Sequence, residues 1–417
     1  MPTFLSVACT PLAEPAASAP TLIQWQEAGV PHEALWRSER GAAPPRRIVV
    51  ADDTLAADAA YRLACEGTGL LWRGDFHNAR QMVQALARRI DKPPKASKLA
   101  RAALHKATDP AASSAPAGHD FHRHRQAQSQ RARVLGMVLI EFGADYGIGL
   151  RRAPDARQAC AEAWGVPGQA ARPSVASLRE LLGVISAHEW RKKGVEIPAL
   201  GAPPNNRIHP HYGVFSPVRG EYVDLVANAP LPAGPGGKFV AFDIGTGTGV
   251  LSAVLALRDG VDQVVATDMA PRALECAREN IGRLRLPSPV KVMQADLFPE
   301  GQASVIVCNP PWLPARPSSP LEGAVYDEGG RMLLGFLKGL AGHLAPGGEG
   351  WLILSDFAEH LGLRTRAELL AAIEAGGLKV LGRIDAKPLH PKAADTSDPL
   401  HRARAAEVTS LWRLGAA

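Results

Sequence analysis

The residues of this 417-residue chain most suited to chemistry are Asn309-Pro310-Pro311-Trp312. Two consecutive prolines hold the backbone in a rigid extended turn and remove two N–H donors, leaving carbonyl acceptors. The Asn309 amide adds another acceptor, and Trp312 offers a flat face. Together they suit a planar group bearing an NH2. Such a nitrogen is a poor nucleophile because its lone pair is delocalised. Two acceptors on its two N–H bonds draw it toward a tetrahedral shape, while stacking on the indole holds its plane.

A second constellation lies upstream. The run Lys238 to Leu251 begins apolar, meets Asp243, turns through Gly245, Gly247 and Gly249, and continues at helical spacing. This reads as strand, tight loop and helix. Glycines let the backbone pass close to a ligand, and the helix start directs free N–H groups at the same place. A dinucleotide site needs G-x-G-x-x-G, whereas this loop is G-x-G-x-G, and an acid two residues before it suits a cationic amino group better than a phosphate. Asp268 follows at the end of the next apolar run, where a carboxylate can accept both hydroxyls of a ribose. Capping of a helix from Pro271 is its plainer role.

Asp243-x-Gly245-x-Gly247-x-Gly249 resembles the first motif of the S-adenosylmethionine-dependent methyltransferases of doubly wound fold. Asn309-Pro310-Pro311-Trp312 resembles the Asn/Asp/Ser-Pro-Pro-aromatic signature of amino-methyltransferases, with Trp in place of the commoner Tyr or Phe. That group includes adenine-N6 and related RNA and DNA enzymes and the glutamine methyltransferases of release factors and a ribosomal protein. The resemblance spans about Tyr212 to Leu414. It implies S-adenosylmethionine as cofactor, contacted by Asp243, Gly245, Thr246, Gly247, Gly249, Asp268, Met269, Asp296, Leu297 and Asn309, with Asp296 on the adenine amino group. It also implies that Asn309, Pro310, Pro311 and Trp312 hold the nitrogen for attack on the sulfonium methyl.

The acceptor expected first is an exocyclic base amine in RNA or DNA. The alternative is a glutamine amide in a protein of the translation apparatus. A non-catalytic S-adenosylmethionine- or RNA-binding module is a third reading, against which the intact Asn309-Pro310-Pro311-Trp312 argues. No general base is required if the proton leaves after transfer, so Asp327, Glu328 and His343 are given no chemical role.

These residues must be positioned by alternating strands and helices. Strands are expected at Phe239–Asp243, Gln263–Thr267, Val290–Gln294, Ser304–Cys308, Gly350–Leu354, Val380–Ile384 and Val408–Leu414, with helices at Pro271–Arg283, Gly330–Leu344 and Arg366–Ala375. The implied fold is an α/β, doubly wound, seven-stranded sheet, mostly parallel with the last strand antiparallel. Ligands bind at the carboxyl ends of such strands, where Asp243, Asp268, Asp296 and Asn309 fall. Residues 1–203 read as a mainly helical, basic recognition region and 204–417 as the methyltransferase domain. In the first region helices are expected from Thr54, capped by Asp53 or Thr54, and after an Asp75 cap, and over Val134–Phe142, Asp155–Trp164 and Val175–Glu189. Residues 107–118 read as a linker.

Charge is uneven. The formal net of +6 divides into +9 over Arg80–Leu135 and −3 elsewhere, which suits a polyanionic partner such as RNA or a solvated helix face. Trp72, Asp75, His77 and Asn78 read as core and helix cap, with a substrate contact as the sharper option, and His119, His122 and His124 among arginines read as solvated cations. The five scattered cysteines form no C-x-x-C pair, so neither a disulfide frame nor a metal site is expected, and Cys276 and Cys308 read as small buried hydrophobes. There is no run of 18 apolar residues, and the start lacks a basic stretch leading into an apolar one; membrane insertion and export are not expected, and a cytoplasmic protein is. The loops 313–323 and 385–405, the latter with Lys387, His390, Lys392, Asp395, Asp398 and His401, read as solvated.

Overall fold

A computed structural model of the protein describes residues 21–92, 118–233, 237–317, 322–388, 395–396 and 398–417. Most of the 107–118 linker, together with Cys9, Lys95, Lys98, Arg101, Lys106, His390 and Lys392, lies outside the described residues.

The first half runs β1 (Leu22–Glu27), β2 (Val30–Trp36), β3 (Arg47–Ala51), α1 (Ala57–Cys65), β4 (Thr68–Trp72), α2 (Phe76–Ile90), α3 (His119–Leu135), β5 (Val138–Phe142), α4 (Arg157–Trp164), β6 (Ser174–Ser177) and α5 (Leu178–Lys193). The helices of a mainly helical region are present, but a six-stranded mixed sheet of order β1-β2-β6-β5-β4-β3 runs beneath them. Val138–Phe142, expected at the end of a helix, is a strand, and Ser174–Ser177 is a strand ahead of α5. Both are runs of four or five residues, too short for periodicity to separate strand from helix. Alternation decides the packing: Leu70, Trp72, Val138 and Ile140 join the helical core, while Leu71, Leu139 and Val175 face the Ile23–Trp25 hairpin. The α1 cap is Ala56 with no side-chain bond, because Asp52 rather than Asp53 turns the preceding chain, accepting from Thr54.

The bland reading of the 72–78 cluster holds. Trp72 is buried and donates to the Asp75 carbonyl at 3.1 Å; Asp75 caps α2 through the His77 N–H at 2.8 Å and pairs with Arg151 and Arg152.

After the short pair β7 (Val195–Glu196) and β8 (Arg207–Ile208) come α6 (Glu221–Asn228), β9 (Val240–Ile244), α7 (Val250–Ala256), β10 (Gln263–Asp268), α8 (Pro271–Arg283), β11 (Val290–Gln294) and β12 (Ala303–Cys308). The chain then makes α9 (Arg331–His343), β13 (Leu344–Ser355), α10 (Phe357–His360), α11 (Arg366–Ala375), β14 (Leu378–Ala386), α12 (His401–Ala406) and β15 (Thr409–Ala416). The seven-stranded sheet has order β11-β10-β9-β12-β13-β15-β14. Its first five strands are parallel, and β15 is antiparallel to both neighbours. The expected fold therefore stands.

Helices cover both faces because every core strand is apolar on both. Ala241, Val305, Val307, Trp351 and Ile353 pack toward α6 and α7, whereas Phe242, Ile244, Ile306, Leu352 and Leu354 pack toward α9 and α11. Cys276 and Cys308 are buried, and burial pushes the Cys276 thiol up to about 11, out of reach of ionisation at neutral pH. No described helix is long and apolar enough to cross a membrane.

Candidate active site

Strand register brings the predicted residues together. Ile244 of β9 pairs with Thr267 of β10 on one side and with Cys308 of β12 on the other, so Gly245, Asp268 and Asn309 leave the sheet at one level. Asp268 is itself paired with Gln294, which places Asp296 two residues beyond on the neighbouring strand. A cavity of about 670 Å³ opens over these ends. Gly245, Thr246, Gly247, Asp268, Met269, Asp296, Leu297 and the whole Asn309-Pro310-Pro311-Trp312 stretch line it. Asp243 and Gly249 stand behind the wall.

Asp243 is 1% exposed and accepts from the hydroxyls of Thr246, at 2.7 Å, and Ser252. Burial pushes its carboxyl above the usual range, opposed by those two hydroxyls. Its observed contacts are thus to the loop and helix start. The loop needs its glycines: Gly245, Gly247 and Gly249 have φ of 72°, 55° and 82°, in the left-handed region. A Cβ on Gly249 would stand 3.3 Å from Ala277 of α8, and one on Gly245 would run into the Met332 methyl.

Asp268 does not cap α8, whose N-cap is Ala270 with no side-chain bond; it ties down the loop instead. One carboxylate oxygen accepts the Gly247 N–H at 3.0 Å and the other the Ala270 N–H at 2.9 Å, tying loop to helix start while the half-buried carboxylate still borders the cavity. Asp296 is exposed and paired with Arg331 at 2.9 Å. Leu297 has φ 71°, uncommon for a residue with a Cβ, and its carbonyl accepts from Thr267 Oγ1 at 2.6 Å.

Just past the end of β12, the strand beside the loop, Trp312 Nε1 donates to Asn309 Oδ1 at 2.8 Å. The guanidinium of Arg219 lies 5.8 Å from the Trp312 ring centroid.

Several cavity residues carried no sequence signal. Phe121 and His124, from α3, reach the cavity from the first half of the chain, and Phe121 is buried with Leu313, Phe357 and Leu400. His124, read as a solvated cation, is a wall residue. Arg125 stacks 4.4 Å over Tyr326. Asn280, 1% exposed, donates to the carbonyls of Thr248 and His209, and its own oxygen accepts from the His209 N–H at 2.8 Å, strapping the 209–217 lead-in to the glycine loop. A buried asparagine within an amphipathic helix was the one available clue.

Residues 205–365 match the family model described as methyltransferase small domain. The chain is 36% identical over 152 residues to a ribosomal protein L11 methyltransferase of Pelotomaculum thermopropionicum, covering 36% of this chain and 40% of that one. It is 30% identical over 130 residues to a release factor glutamine methyltransferase of Koribacter versatilis, covering 28% and 46%. The chain thus spans less than half the length of these curated relatives. A solved methyltransferase from Pyrococcus furiosus superposes with a TM-score of 0.36 at 20% identity, covering 56% of this chain and 98% of that one.

The cofactor of such domains is S-adenosylmethionine, and the residues present fit it. A Cβ on Gly245 would meet Met332 in the cavity wall, and a carboxylate and an apolar wall border a cavity of about 670 Å³, large enough for a nucleoside with an amino-acid tail. Residues 205–365 thus match the methyltransferase small domain model, and the sheet around them has the doubly wound order expected for a class I methyltransferase.

Proposed function

We propose that this chain methylates the side-chain amide nitrogen of a glutamine in a protein of the translation apparatus. The observation that carries the proposal is that Asn309 to Trp312 and Gly245 to Gly247 leave neighbouring strands at one level and line one cavity. Bound S-adenosylmethionine supplies an electrophilic sulfonium methyl. Asp268 holds the ribose, Asp296 and Leu297 border the adenine, Met269 covers it, and the loop Gly245 to Gly249, stiffened from beneath by Asp243, carries the amino-acid tail. Asn309 Oδ1 keeps a lone pair beyond the one taken by Trp312, and with the Pro310 carbonyl it holds the two amide hydrogens. Trp312 stacks on the amide plane, and the proton leaves to solvent after transfer.

Of the two acceptors weighed from sequence, the glutamine amide draws support from the relative named for release factor glutamine. The base-amine reading drew on the basic segment, and three of its twelve cations are engaged in ion pairs within the chain. Arg89 pairs with Asp58, Arg131 with Asp91 and Arg125 with Glu322. Within the proposal, residues 1–203 choose the substrate, 204–417 methylate it, and the setting is the cytoplasm.

The test supplies methyl-labelled S-adenosylmethionine and extract from cells lacking the protein. Label in protease-sensitive, nuclease-resistant material, recovered as N-methylglutamine after enzymatic digestion, is the expected outcome. Nuclease-sensitive label would transfer the proposal to a base amine.

A further inference from the structure

Glu407, at the junction of α12 and β15, is 3% exposed and lines the same cavity as Asn309 and Trp312. Its Oε1 accepts from Arg219 at 3.1 Å and from Ser355 Oγ at 2.7 Å. Its Oε2 is buried and has no hydrogen-bond partner among the described residues. The same Arg219 reaches the Trp312 ring, so a carboxylate oxygen without a donor stands one guanidinium away from the surface on which the acceptor stacks. Glu349, by contrast, accepts on both oxygens, from Trp351 and Arg413, and Glu221, which also keeps a buried oxygen without a partner among the described residues, does not line this cavity. A buried carboxylate only accepts, and leaving one of its oxygens unpaired is unfavourable unless something else donates.

We infer that Glu407 is an acceptor-positioning residue whose Oε2 receives an N–H lying beside the nitrogen to be methylated. The inference rests on the proposed methyl transfer to a glutamine and specifies how that acceptor is chosen. When an amide places both its hydrogens on Asn309 and the Pro310 carbonyl, a peptide still offers a main-chain N–H for Glu407. Adenine and cytosine present only ring acceptors and C–H groups beside their amino groups, so the carboxylate has nothing to receive and repels their lone pairs. Guanine, with a ring N–H beside its amine, is the one base that could compete.

The test uses N-acetylglutamine methylamide, guanosine and adenosine as probes. Ligand-observed NMR measures their binding to the full chain saturated with S-adenosylhomocysteine, as wild type, E407Q and S355A. The blocked glutamine is expected to bind wild type and S355A alike and E407Q about tenfold more weakly, with S-adenosylhomocysteine affinity equal in all three. Equal affinity for wild type and E407Q, no binding to wild type, or Glu407-dependent binding of guanosine in its place would overturn the inference. Methyl-transfer assays on the same proteins separate it from the functional reading. Glu407-dependent binding with no transfer to any protein removes that reading alone, whereas transfer with a KM unchanged by E407Q removes this inference alone.

Discussion

Trp312 holds Asn309 by a hydrogen bond from the indole Nε1 to the amide Oδ1 at 2.8 Å, so the indole face and the amide proposed to hold the reacting nitrogen are one unit. A phenylalanine at 312 keeps a stacking face and deletes this bond, freeing the Asn309 amide to rotate. W312F is therefore expected to lower kcat about fivefold, the worth of one hydrogen bond, with S-adenosylmethionine affinity unchanged. Steady-state kinetics against a fixed protein acceptor checks it. A kcat equal to wild type would mean that the bond does not orient Asn309.

Asp268 binds two backbone N–H groups, those of Gly247 and Ala270, and faces the cavity. Asp268→Ala leaves both donors unpaired and removes the proposed ribose acceptor. Losses of about 1.5–3 kcal/mol for a charged acceptor correspond to a 10- to 150-fold weaker S-adenosylmethionine affinity, readable by calorimetry.

The glycine loop should tolerate no side chain at its first position. Gly245 has φ 72°, and its added Cβ would meet the Met332 methyl. Gly245→Ala is expected to cost about 1–2 kcal/mol from the backbone conformation, plus the contact. Adding Met332→Ala relieves the contact but not the backbone term, so thermal melts of the double variant recover only part of the loss.

Asp75 gives the fold an acid-sensitive element far from the chemistry. The guanidinium of Arg152, with the His77 N–H and Arg151, holds its carboxyl down to about 2. A carboxyl depressed in the folded state contributes stability that is complete above its unfolded value near 4 and is lost as pH falls toward 2. Stability of Asp75→Asn should fall less steeply than wild type between about pH 4 and 2, measured by urea midpoints across that window.

How much of this was legible from sequence differs between the halves for a physical reason. In the second half, apolar runs of about five residues are separated by glycine turns and amphipathic helices. Pro271–Arg283 and Arg366–Ala375 accordingly match the observed helices residue for residue, and all seven strands are found. In the first half Val138–Phe142 follows the long helix α3 after only two residues, so nothing local marks the change from helix to strand. The site divides similarly. Asp243, Asp268 and Asn309 announce themselves at strand ends. Phe121 and Glu407 do not, because only the packing of α3 on Leu313, Ala315 and Tyr326 and the insertion of β15 between β13 and β14 carry them to the cavity.

The central claim is that Asn309 acts on the acceptor nitrogen in a cavity that binds S-adenosylmethionine largely through other residues. Single-turnover methyl transfer by wild type and Asn309→Ala, with cofactor affinity measured on the same samples, tests it most directly. Transfer should fall at least about 100-fold, as for loss of a group that orients the reacting atoms, while cofactor affinity changes only a few-fold. Transfer by Asn309→Ala at close to the wild-type rate would contradict the claim.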